Sequence, residues 1–582
     1  MHYTSKEVYQ SISQQTNDPI VEWETCRISG AEFPIYKSDL EFYDKISPVF
    51  NGVKYQIPTP TLCPEERERR RLAWRNERKL YRRTCDASKK QIISIYSPDK
   101  PYKVYDQKIW WSDTRDALKY GKEFDFSKSL FEQFETLMNE VPKLALNGHL
   151  SNENSEYTNY FIESKNCYMC FGGAYNENVL YSEIPMKCKD SAELYFSINC
   201  EACYEASFCI QCFKTYYAYN CENCHDSRYI ENCNGCSYCF ACTDLENASY
   251  CIYNKPVSKE EYATHLQDYQ SNPEKHLSQI KSFFLNQPKK NLNISFSENC
   301  IGNNITYSKD CSHCVCVDHA ESIKYAEVCP KIESSQDVES VGVNSSFCYE
   351  IMTASQNIYN CAFSCVLRTN CKNLYYCSDM HSSSDCFACI GLKGKQYCIL
   401  NKQYNKEEYE KLVPKIIEKM KADGEWGEFF PASISPFGYN ETVANIYYPI
   451  TQNTKDWRFK RSNYEAPLPQ SDKILEGKNL PHNGCKNIFE QAPDFLEDIS
   501  KYAISCEVTG KLFRIIPQEL EFYKKHNLPL PRKHPDQRYQ ERFFARNPKK
   551  IFERTCDKCG KKILSIYSTE SKQVTYCESC YW

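Results

Sequence analysis

From Cys188 to Cys251 every cysteine stands a multiple of three residues from the next, and Cys188, Cys200, Cys212, Cys224 and Cys236 recur at twelve. No other feature restricts the fold as much. The stretch CENCHDSRYIENCNGCSYCFAC (221–242) looks like a metal cluster, but zinc fingers have no reason to keep that phase. Taken every third residue, the chain reads Cys200, Cys203, Ala206, Cys209, then Cys212, Thr215, Ala218, Cys221, and the neighbouring coils are equally small or apolar. This pattern predicts a narrow parallel β-solenoid of about 12 residues per coil, with four short sides each turning one small residue inward. Cysteine serves there as a small hydrophobe.

Residues twelve apart would stack about 4.8 Å apart on adjacent coils. Phe196 then lies under Phe208, Tyr217 under Tyr229 and Asn220 under Asn232, as in the ladders of like side chains that stacked strands favour. Asparagine precedes cysteine at Asn199, Asn220, Asn223 and Asn232, and it tolerates the left-handed backbone that a corner needs.

A second array follows, because CFACTDLENASYCIYNK (239–255) recurs as CFACIGLKGKQYCILNK (386–402) at an offset of 147. There Cys348 and Cys361 leave the threefold phase, which predicts a bulge or inserted residues between 340 and 364. Each array leads into a helix, capped by Ser258 or Asn405, that should cover the exposed strand edge. The thiols read as structural; metal storage or disulfide chemistry is the alternative. The most metal-like patch is Cys311, His313 and Cys314, with Cys316 and His319 nearby.

The two ends are copies of one another. LCPEERERRRLAWRNERKLYRRTCDASKKQIISIYS (62–97) aligns without a gap at an offset of 471 with the segment ending FERTCDKCGKKILSIYS. In the C-terminal copy Cys556-x2-Cys559-Gly560, a strand and Cys577-x2-Cys580 provide four thiolates for one closed, structural Zn2+ site. In the N-terminal copy Cys85 remains, but Ser88, Asp106 and Ile109 fill the other places, and burial of Trp110 and Trp111 is expected to replace the ion. Upstream, Cys26, Gly30, Phe33, Ile35, Glu41, Phe42, Tyr43, Cys63, Pro64 and Arg67 resemble a zinc-ribbon family pattern, with Ser29 and Glu66 where the second thiols belong. Cys26 with Cys63, and Cys506 with His534, are therefore weak metal candidates, the default being a degenerate, hydrophobically packed knuckle. The chain as a whole resembles an uncharacterised family of large Cys-rich proteins from uncultured bacteria, which implies no activity.

Between the knuckles, EERERRRLAWRNERKLYRR reads as one long helix after Pro64, with Arg67, Arg71, Arg75, Arg78 and Arg82 on a stripe. The other copy keeps Arg538, Arg542 and Arg546. Such rows suit phosphates; the alternatives are a merely solvated face, a protein partner, or docking on the chain's own acidic middle, since residues 501–582 carry 17 Lys+Arg against 9 Asp+Glu and residues 161–257 carry 6 against 12.

These readings divide the chain into an N-terminal module with a basic helix (1–111), a helical connector (112–160), solenoid array 1 (161–257), a capping helix and linker (258–290) and array 2 (291–404). A second capping helix (405–423), an extended strap or linker (424–500) and a C-terminal zinc-ribbon, treble-clef-like α+β module (501–582) complete it. The class is mainly β. The N-terminus carries no basic-apolar leader and no run approaches the 18 or so apolar residues of a membrane span, so the 36 cysteines read as reduced thiols of a cytoplasmic protein. No phosphate loop, dinucleotide fingerprint, HExxH or nucleophile elbow is present in the sequence. The leading expectation is a non-enzymatic scaffold whose terminal modules bind nucleic acid, with no small-molecule substrate. A protein-interaction or self-assembly body with docked termini, and a metal-storing thiol ladder, are the alternatives.

Overall fold

In a computed structural model, residues 3–148, 150–450, 456, 458–471, 473–482, 484–485, 499–546 and 549–582 are described. The chain is strand-rich. Its two largest sheets have 12 and 13 strands, almost all parallel, and the first holds the strands of array 1 and the second those of array 2. In array 1 the pairing runs Tyr204 to Tyr216, Tyr216 to Arg228 and Arg228 to Phe240, so each residue meets the one twelve further on. In array 2 three successive pairings run at thirteen instead, from Ile332 to Ser345, from there through Ile358 to Cys371. The out-of-phase Cys348 and Cys361 thereby face one another in a single column.

A second finding concerns the corners. From Tyr160 to Tyr253 every third residue has positive φ, among them Phe208 (55°), Tyr217 (58°) and Tyr229 (54°). Asparagine was expected to supply such turns, yet aromatic and acidic residues take them as well, at a cost of about 1–2 kcal/mol per residue. In array 2 the triplet rhythm breaks first at Asn299–Asn304, beside a register shift at Ile301/Gly302, and then at Ser340–Asn344, Thr353–Asn357 and Val366–Asn370, where successive left-handed positions are four apart. One four-residue side per turn accounts for the thirteen.

What offsets the strain is a saturated interior. The Cys200 thiol reaches the carbonyls of Ile198 at 3.5 Å and Cys209 at 3.3 Å, and the Thr215 hydroxyl reaches Phe213 and Cys224 at 3.1 Å each. The same side chains accept from the next turn: Cys203 N donates to Ser191 Oγ at 3.0 Å, and Cys389 N to Cys377 Sγ at 3.4 Å. An inward Cys, Ser or Thr therefore fills the narrow core and also donates and accepts, which favours these residues there, although Ala206, Ala218, Leu194 and Ile230 take inward places without doing so.

Each array ends in a short antiparallel strand that folds back on the last parallel one, Lys255–Pro256 on Ser249–Ile252 and Lys402–Gln403 on Gln396–Ile399. Helices Lys259–Ser271 and Lys406–Asp423 follow, each with a capping box at Ser258 or Asn405. A further helix, Pro273–Asn286, fills the segment read as a linker. The connector contains helix Leu130–Glu140, and Phe134 stacks at 4.2 Å on Phe430 of the strap, whose residues 424–450 are packed into a buried core. The rest of the strap falls partly outside the described residues.

The long basic helix is shorter than its sequence suggested. It spans Pro64–Leu72, after which Asn76 binds the Lys79 backbone on both sides and the chain enters strand Tyr81–Thr84. Its counterpart in the other module spans Pro535–Ala545. No helix among the described residues is long and apolar enough to cross a membrane.

Candidate metal centre

Cys556, Cys559, Cys577 and Cys580 are the only group of three or more metal-ligating side chains that converges among the described residues, with all sulfurs within 4.8 Å of one another. Strands Phe552–Thr555 and Lys562–Ser565 form the hairpin that presents the first pair. Gly560, at φ 72, closes the turn, donating to Cys556 O at 2.9 Å. Cys577 is the N-cap of Glu578–Tyr581, which places Cys580 one turn later. Cys559 Sγ lies 3.8 Å from Cys577 Sγ, close to the edge of about 3.8 Å expected for a tetrahedron with metal–sulfur bonds of about 2.3 Å.

The backbone favours thiolate here. Burial opposes ionisation of Cys556, but the backbone N–H groups of Cys577, Cys559 and Lys558 outweigh it and bring the thiol down to about 6. Cys580 moves up to about 12, chiefly through its hydrogen bond with Cys577, because four adjacent thiols cannot all ionise without a cation. The set can hold a metal ion, and four protein sulfurs leave no open position for catalysis.

The matching N-terminal site is a hydrogen-bonded cluster. Asp106 Oδ2 accepts from the Ser88 hydroxyl at 2.7 Å and the Cys85 thiol at 3.3 Å, while Asp106 Oδ1 accepts from Ile109 N at 3.0 Å. Aromatic burial contributes as well: Trp110 is fully buried, and Lys393 Nζ binds the carbonyls of Trp110, Trp111 and Ser112 at 3.0–3.3 Å.

The weaker candidates do not assemble. Cys26 and Cys63 interact with each other and with Ser29 Oγ, 3.8 Å from Cys63 Sγ, without a further ligand of comparable strength. Cys506 lies beside Thr509, and His534 spends Nδ1 as acceptor for Asp536 N. Cys311 and Cys314 point their thiols at carbonyls inside array 2, whereas His313 stacks on Tyr325 at 4.8 Å outside it. The three-residue phase separates them: Cys311 and Cys314 turn inward, while His313 sits at a left-handed corner, φ 56, and turns out.

The arginines are placed where the sequence alone did not put them. Arg67 is 2% exposed and Arg71 0%, and both bind Asp337 of array 2, itself 0% exposed. Arg71 also reaches Glu350 at 3.4 Å, and Arg75 binds Glu77 at 2.6 Å. Arg78 lies over the Tyr539 ring at 3.6 Å. In the other module Arg538 pairs with Glu519 at 3.0 Å and, with Arg542, with buried Glu193 of array 1, while Arg546 covers Tyr195 at 3.9 Å. Of the eight, only Arg82 is exposed, held by the Tyr157 hydroxyl. Of the arginines expected to face phosphates, Arg67, Arg71, Arg75, Arg538 and Arg542 meet carboxylates, Arg78 and Arg546 lie on aromatic rings, and Arg82 alone stays exposed. Asp337, Glu193 and Glu350, which make this possible, escaped the sequence reading, since nothing local marks an acidic residue as an internal partner. Compared with known proteins, the chain matches no family model and no curated protein.

Proposed function

We propose that the chain is a non-enzymatic scaffold, a tandem β-solenoid onto which two duplicated zinc-ribbon-like modules are docked, and that it offers its array faces to a protein partner or to further copies. The observation that carries this reading is the burial of Arg67 and Arg71 against Asp337, with Arg538 against Glu519. Arginines spent in this way fit internal docking better than a phosphate grip. The metal is Zn2+, the chemistry of four thiolates in tetrahedral reach. The compartment is a reducing one, the cytoplasm, in keeping with 36 free cysteines.

The test is an electrophoretic binding series with DNA and RNA across salt, alongside metal analysis of protein purified under reducing conditions. Weak binding that is insensitive to the combined loss of Arg538, Arg542 and Arg546, with about one zinc per chain, supports docking. Affinity that falls steeply with salt and with those substitutions overturns it in favour of nucleic-acid binding, and several metal equivalents would restore the storage reading.

A further inference from the structure

Between strand Lys143–Leu144, array 2 near Ser378 and the strap at Phe437 lies a cavity of about 40 Å³. Lys143 lines it and is 7% exposed, yet its ammonium has no hydrogen-bond or ion-pair partner among the described residues; the Tyr102 ring stands 5.5 Å away. Two hydroxyls also line the cavity with protons to offer. Ser378 Oγ accepts from the Cys365 thiol at 3.2 Å without donating in turn, and the Tyr160 hydroxyl bonds to none of the described residues.

The local charge is unbalanced. Asp379 is the carboxylate in the lining, and its Oδ1 is already taken by Arg368 through Nε at 3.1 Å and Nη2 at 2.6 Å. Arg115, 8% exposed, lies close enough to repel the ammonium and leaves its Nε and Nη2 without partners. Three largely buried cations thus stand against one carboxylate, and an uncompensated buried charge is costly unless something neutralises it. Since one water-sized sphere takes about 10–15 Å³, the space suits an ion of up to roughly four heavy atoms.

We propose that this cavity binds a small monoanion, a halide or a planar oxyanion of the size of nitrate, formate or bicarbonate, held by Lys143 Nζ and the hydroxyls of Ser378 and Tyr160. Burial, with repulsion from Arg115, brings Lys143 down to about 8 against the attraction of Asp379. Cys365, which faces it, and Tyr160, which shares the cavity lining, are both pushed up to about 12 by burial and stay neutral. The ammonium is therefore the group that titrates between pH 7 and 10, and binding should weaken as pH rises beyond 8.

The experiment uses the full chain: bromide-soaked crystals at pH 7, and melting temperatures in chloride, nitrate or formate against sulfate at matched ionic strength. Expected are an anomalous peak in contact with Lys143 Nζ and a rise in Tm specific to the small monoanions, smaller at pH 9. A larger response to chloride assigns a halide; a larger one to nitrate and formate assigns a planar oxyanion. Lys143→Met should abolish peak and response without lowering the Tm measured in sulfate. Should that variant fail to fold, Ser378→Ala with Tyr160→Phe should weaken the response several-fold. No peak, or equal responses in wild type and variant, overturns the proposal.

Discussion

The two terminal modules share a framework nearly bond for bond, and they differ at its centre. Cys85 N and Cys556 N donate to the carbonyls of Lys90 and Lys561 at 2.8 Å each. Asp86 and Asp557 accept from Val104 N and Thr575 N at 2.7 Å each, and Asp106 N and Cys577 N reach the first cysteine sulfur at 3.3 and 3.2 Å. Where one copy gathers four sulfurs, the other gathers a thiol, a hydroxyl and a carboxylate. A hydrogen-bonded carboxylate can close the same loop as a metal, provided that the helix behind it is anchored. Trp110, fully buried, is the anchor in one copy; its counterpart Tyr581 is only partly buried in the other, and Trp582 beside it is 82% exposed.

On the proposed zinc reading, the largest expected difference comes from removing the metal. A structural zinc site contributes about 10–16 kcal/mol of binding free energy at neutral pH. A strong chelator, or Cys556→Ser with Cys577→Ser, should unfold the hairpin 552–565 and release Tyr581 from Asp244 while leaving residues 81–111 protected. Hydrogen exchange resolved along the chain reads this directly. Conversely, Ser88→Cys, Asp106→Cys and Ile109→Cys together should raise the zinc content from about one to about two per chain, since the framework is already in place; an unchanged content would show that the modules differ in more than their ligands.

Docking differs from metal binding in that both modules depend on it. Asp337→Ala leaves Arg67 and Arg71 buried without their shared carboxylate, and breaking such a pair costs about 3–5 kcal/mol. Glu519→Ala should act similarly on Arg538 in the other module, with some relief from the Glu193 contact. Chemical denaturation should give the larger loss for Asp337→Ala; equal and small losses would mean that the arginines are replaceable.

Cysteine phase and internal repeats made the parallel twelve-residue register and the four-sulfur set legible before any coordinates. The inserted residues expected between 340 and 364 are the thirteen-residue turns, in which Cys348 falls out of phase in the sequence while keeping its column in space. Two features were not legible, each because its cause is non-local. The helix stop after Leu72 depends on Asn76 reaching Ile95, nineteen residues away. The destination of the arginines depends on carboxylates some 270 residues distant. The preference for cysteine was readable as size, but its hydrogen-bonding role emerged only with the carbonyls around it.

Acid should separate the modules at a smaller scale. The Asp106 pKa is held below the ordinary carboxylate value: burial opposes this, but Ile109 N, Ser88 and Cys85 outweigh it. A depressed folded-state pKa means a contribution present above the unfolded value of about 3.9 and lost as pH falls through the lower, folded one. Thiolate ligands, in contrast, take up protons and release metal under milder acid. Between pH 7 and 5 the C-terminal module should lose metal and loosen while the N-terminal one stays folded, and Asp106→Asn should loosen the N-terminal module already at neutral pH and remove its acid transition. Simultaneous loosening of both by hydrogen exchange would break the distinction.

The smallest effect concerns the outer corner of array 1, where Glu153, Lys165, Glu177, Lys189 and Glu201 stack with alternating sign. Lys165 lies 3.2 Å from Glu153, and Lys189 3.6 Å from Glu177, on half-exposed side chains. Exposed pairs of this kind are worth about 0.2–1 kcal/mol and are screened by salt. Lys165→Glu puts three like charges in one column and should lower the melting temperature slightly at low salt, with the difference vanishing at high salt. Lys165→Met, which keeps the stem and removes the charge, should fall between the two. A loss as large as that of Asp337→Ala would mean that the surface ladder, rather than the buried interior, sets the register of the array.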